Sequence, residues 1–145
     1  MGQLKHSAAC LRIIGDNLDP DEISRWLGAS PTFSQKKGAI IKRGRREIPA
    51  PFGMWRLNAT DREPANVDSQ IDEILSQLTP DLSVWKSIPA EYAVHLFCGW
   101  FVQSWNEEVS ISAESMAALG SRGIRLDLDL YVSSGDDEDH ESDSE

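Results

Sequence analysis

The residues of this chain that could do chemistry fall into three groups, each with a plainer explanation beside it. The first is catalytic in type: His95 and Cys98 lie in the apolar run Tyr92 to Val102, where an imidazole and a thiol would supply base and nucleophile if they met. A lone histidine in an apolar strand more often sits satisfied in a sheet, and a thiol there packs as a small hydrophobe. Asp127 and Asp129 are two apart, so a strand projects both carboxylates to one face. Ordinary solvated alternation explains that pair better than acid–base work, because the sequence places no partner acid or metal ligand beside them. No catalytic residue is assigned, and the reading leans away from an enzyme.

The second group is a mixed face. Arg12, Arg56, Arg125, Asp127, Asp129 and Tyr131 occupy the solvated positions of three expected strands. They would lie together as a partner-binding surface if helices covered only the other side of the sheet, since Tyr and Arg favour interfaces. The plainer alternative is a cross-strand ion-pair lattice that keeps the sheet soluble. The third group is a basic run, Lys36, Lys37, Lys42, Arg43, Arg45 and Arg46, with six cations in eleven residues. Such a run can neutralise phosphates, but the aromatic interleaving of a single-strand binder is missing and the chain carries a net charge of −10. Nucleic acid is therefore not expected, and a solvated loop with a charge-protected edge strand is the favoured explanation.

Motifs add only exclusions. The chain has no phosphate-cradling glycine loop, no H-E-x-x-H, no G-x-S-x-G and no C-x-x-C, so no metal and no cofactor are expected. Cys10 and Cys98 are far apart in apolar runs and read as buried free thiols. The opening lacks the apolar stretch of a leader and no run approaches a membrane span, so a cytoplasmic protein is expected.

The charge is unevenly distributed. Asp136, Asp137, Glu138, Asp139, Glu141, Asp143 and Glu145 give the last thirteen residues seven acids and no base, which leaves the rest at −3. Such a tail buries nothing to offset its ordering entropy, so one globular domain over 1–132 and a disordered acidic tail over 133–145 are expected.

The elements that must position these groups are written in the spacing. Asp19 as N-cap, Pro20 at the first helical position, Ile23, Trp26 and Leu27 on one stripe, and Gly28 as stop define a helix that needs a sheet to lie on. Strands are expected at Ala8 to Ile14, near Lys37 to Lys42, at Met54 to Ala59, at Tyr92 to Val102 in mid-sheet, and at Ile124 to Val132. Val67, Ile71, Ile74, Leu75 and Leu78 hold helical spacing, with Gln70 and its neighbours on the wet side. Asp81 caps a piece carrying Trp85, and Ser112 caps a short helix with Met116 and Leu119. The fold class is therefore α+β, a single domain with a ferredoxin-like βαββαβ core, an added αβ unit, and a mostly antiparallel sheet with helices on one face.

With these residues in place the chain resembles a bacterial family, domain of unknown function 4279. The resemblance rests on Gly15-Asp16, Leu18 through Ile23, Leu27-Gly28, Pro31-Thr32, Lys37-Gly38, Gly53-Met54-Trp55 and Leu126 through Tyr131, and spans roughly 8–132. It implies a small bacterial α+β domain and brings no activity or catalytic residue with it. Three functions stay open. The leading one is a non-catalytic protein-binding domain, an immunity-type protein that neutralises a basic bacterial toxin by charge complementarity. The others are a small-ligand or regulatory domain with a pocket near Trp26, Trp85 and Trp100, and an enzyme with a non-motif site around His95 and Cys98.

Overall fold

A computed structural model describes residues 2–132, so the acidic tail and its expected disorder lie outside the described residues. The chain runs β1 (Gly2–Gln3), β2 (His6–Gly15), α1 (Pro20–Leu27), β3 (Phe33–Gln35), β4 (Ile40–Arg43), β5 (Arg46–Pro49) and β6 (Gly53–Asn58). It continues through α2 (Val67–Leu75), α3 (Leu82–Ser87), β7 (Ala93–Val102), β8 (Glu107–Glu108), α4 (Ala113–Ser121) and β9 (Arg125–Val132).

Five strands form one sheet in the order β3-β6-β2-β7-β9, antiparallel except for the β7–β9 pair. The fold is mixed α+β with a mostly antiparallel sheet, as the strand and helix spacing implied. The sheet's second strand, β3, pairs with the third, β6, rather than with the first, β2. The β2–α1–β3 crossover therefore spans an intervening strand, as a split βαβ unit does. β7 lies inside the sheet, between β2 and β9, which suits a strand apolar on both faces.

Each helix buries its apolar stripe on the same side of this sheet. Ile23 and Leu27 of α1, Ile71 and Ile74 of α2, Trp85 of α3 and Leu119 of α4 join Leu11, Ile13, Trp55, Leu57, Leu96 and Cys98 in one core. α1 forms as its sequence directs: the Asp19 carboxylate accepts from the Asp21 amide, and Gly28 closes the helix at φ 77°. The Trp55 indole donates to Ser24 Oγ at 3.0 Å, which ties α1 to β6.

Four expectations need correction. The strand expected near Lys37 to Lys42 is not in the main sheet. The short strand Phe33–Gln35 takes that place, and Ile40–Arg43 pairs only with Arg46–Pro49 in a separate hairpin turned by Gly44. Gln70, expected wet, is buried: its side chain donates to the Ser7 carbonyl at 2.9 Å and the Thr60 carbonyl at 3.1 Å and accepts from Ser7 Oγ at 2.8 Å. Trp26 is only half-buried, because Ile23 and Leu27 carry the helix contact. Leu128, Leu130 and Val132 alternate as a strand should but are exposed, because β9 is an edge strand that runs past the end of the core.

Candidate functional site

The face of the sheet opposite the helices contributes no residue to the core, and on it the six residues of the expected mixed surface come together. Register places Arg12 directly between Arg56 on β6 and His95 on β7, and His95 beside Arg125 on β9. Asp127, Asp129 and Tyr131 continue along β9 beside Phe97, Gly99 and Phe101. Strand alternation alone produces this assembly, once the strand order is fixed.

The ion-pair lattice is only partial. On the β9 side, Arg125 donates to Asp127 from Nε at 3.0 Å, and Asp127 Oδ2 lies 2.7 Å from His95 Nδ1. The His95 imidazole thus stands beside Asp127, a neighbour set by the pairing of β9 with β7 and not by chain order. Arg125 and His95 hold the Asp127 carboxyl below its ordinary range. Burial lowers the His95 pKa and outweighs the pull of Asp127. With His95 neutral and Nδ1 donating to Asp127, Nε2 is an acceptor; it is buried and makes no hydrogen bond.

Arg12 and Arg56 behave differently. The Arg12 guanidinium lies 3.9 Å from the Phe97 ring centroid, and that of Arg56 lies 4.8 Å from the Phe33 centroid. Phe33, Phe97 and Phe101 are participants the sequence reading missed. Phe33 stands opposite Arg56, and Phe97 opposite Cys10 and so diagonal to Arg12, placements that become visible only with the register known. His6 stacks on Phe101, with ring centroids 4.4 Å apart, and Phe101 on Tyr131 at 5.0 Å. A cavity of about 250 Å³ opens among Arg12, Arg56, Asn58, Phe97, Phe101 and Tyr131.

His95 and Cys98 do not form a pair. They are three apart on β7 and therefore project to opposite faces, with Cys98 in the helix-covered core and its thiol pushed up to about 12 by burial. Cys10 is a buried free thiol on the open face, opposite Phe97. Trp85 lines a separate cavity with Ile88, Tyr92 and Val94, and the lining of that cavity includes neither Trp26 nor Trp100. Among the described residues no group of three His, Cys, Asp or Glu side chains could hold a metal ion. Among the described residues no helix is long and apolar enough to cross a membrane.

The basic run is divided between two places. Lys36 and Lys37 reach back to Asp19 and Asp16 beside α1, at 3.8 and 3.2 Å. Lys42, Arg43, Arg45 and Arg46 ride on the β4–β5 hairpin, where Lys42 faces Glu47 and Arg43 faces Arg46.

The model of one family, Domain of unknown function (DUF4279), matches residues 3–133. The chain belongs to the DUF4279 family. The match covers all of the main sheet and all four helices, so the open face and its arginines lie within the family domain. No curated protein and no solved structure matches the chain.

Proposed function

We propose that this DUF4279 protein is a non-catalytic, cytoplasmic binding protein of the immunity type, which neutralises a basic bacterial toxin by docking it along the β9 edge and the adjoining open face. The observation that carries this reading is β9 itself. It is an edge strand of eight residues, and Leu128, Leu130, Tyr131 and Val132 are exposed on it at 46, 56, 48 and 74%. Edge strands that lack a partner are normally short or guarded by charge; here Arg125, Asp127 and Asp129 guard the open-face side of the strand, while Leu128, Leu130 and Val132 leave its other side apolar beside unpaired backbone groups. A partner strand added to β9 would satisfy that backbone and cover those side chains, and the net charge of −10 would draw in a basic partner.

The test is co-expression with the product of the neighbouring reading frame, in a host whose growth that product inhibits. Wild type restores growth, whereas the Leu128→Lys, Leu130→Lys double variant stays folded, because both sites are exposed, and does not. Full protection by the double variant overturns the docking surface. A neighbouring product that neither inhibits growth nor binds overturns the immunity role.

A further inference from the structure

The centre of the open face holds two arginines that no acid in the described chain neutralises. Arg12 and Arg56 stand directly opposite each other across β2 and β6, a like-charge arrangement that is unfavourable on a sheet. Both Nε atoms are out of solvent without a hydrogen-bond partner. A buried donor left without an acceptor forfeits its hydration and gains nothing in return. Two other arginines show that acids are available for pairing, since Arg125 engages Asp127 and Arg62 engages Glu73 at 2.8 Å. Phe97 and Phe33 instead hold the two central guanidiniums, at the rim of the 250 Å³ cavity.

We propose that Arg12 and Arg56 form a carboxylate-binding site, and that its occupant is an Asp or Glu side chain of the docked partner. This deepens the docking reading above and rests on it. Long-range attraction follows from net charge, while the local pairing is set by these two side chains, so a basic partner can still present one acid here. A carboxylate matches the planar guanidinium fork and can accept two parallel N–H bonds. Stacking on a ring keeps the fork's edge free for that contact. A doubly charged phosphate fits less well, because Asp61 borders the cavity and would repel the second charge. Aromatic walls, Phe97, Phe101 and Tyr131, suit a flat group.

The experiment is an NMR titration of the full chain, following the arginine Nε–Hε signals, with benzoate as probe and inorganic phosphate as competitor. Benzoate is expected to shift the Arg12 and Arg56 signals saturably at millimolar concentration and to leave Arg125 in place. Arg12→Gln or Arg56→Gln should abolish the response with the unfolding midpoint retained, and Arg56→Lys should weaken it about tenfold, because the charge survives and the fork does not. No saturable shift, or a shift with phosphate and none with benzoate, overturns the site. Displacement of the same signals on truncating the chain after Ser133 would show that the protein's own acidic tail fills the site, which overturns the partner's side chain as occupant. Growth protection retained by Arg12→Gln would do the same. The leucine variants test docking without touching either arginine, so the two readings fail separately.

Discussion

His95 illustrates how a single side chain ties β7 to β9 on the open face. Its Nδ1 holds Asp127, which holds Arg125, and its other nitrogen is buried without a partner. Because burial lowers its pKa in the folded protein, the unfolded chain takes up a proton first as pH falls through about 6.5. Stability from this residue is therefore complete above that pH and is lost as pH falls towards the folded value. Urea unfolding between about pH 7 and pH 5 should show a positive dependence of stability on pH, and His95→Gln should flatten it. Gln70 is the second residue whose surroundings decide its worth. Gln70→Leu removes the donor to the buried Ser7 carbonyl and to the partly buried Thr60 carbonyl, and the acceptor of the Ser7 hydroxyl, and should cost about 2 kcal/mol or more in urea midpoint analysis, although the side chain is similar in size. A loss of only a few tenths would mean that water replaces these bonds.

At the scale of elements, α1 and β6 form the best-specified joint. Trp55 is fully buried under α1 and bonded to Ser24, so Trp55→Ala should cost about 3–5 kcal/mol, whereas half-buried Trp26 should cost distinctly less on the same substitution. Gly28 ends the helix at φ 77°, and Gly28→Ala should lose about 1 kcal/mol by thermal melting with no contact removed. The β4–β5 hairpin is the opposite case. It pairs with itself and none of its residues joins the core, so Arg43→Glu with Arg45→Glu should leave the melting temperature nearly unchanged.

Across the whole molecule, charge is divided into territories. The hairpin is basic, the centre of the open face carries unpaired arginines, and the sequence beyond the described residues holds seven acids. Removing the residues after Ser133 takes the formal charge from −10 to −3. Attraction of a basic partner, whose range at physiological salt is about 8 Å, then loses most of its strength. Association measured by stopped flow should slow after truncation, and its dependence on salt should flatten. An on-rate unchanged at every ionic strength would assign the tail no part in encounter.

The chain by itself determined what is local. Caps, turn residues and apolar period located α1, α2, α3, α4 and most of β2, β6, β7 and β9, since each depends on residues within one or two turns or on simple alternation. The same alternation put Arg12, Arg56, Arg125, Asp127, Asp129 and Tyr131 at the solvated positions of their own strands. What it did not contain was which strands become neighbours, and hence what each of those side chains meets. The Asp127–His95 contact, the stacking of Arg12 and Arg56 on Phe97 and Phe33, and the separation of His95 from Cys98 all follow from register across residues far apart in sequence. Gln70 was misread for the same reason, because its burial is set by the close approach of β2 and not by its own helix. Only the tertiary structure decided that β9 ends the sheet with its leucines uncovered, since a local pattern records which side of a strand is apolar and not whether anything lies against it.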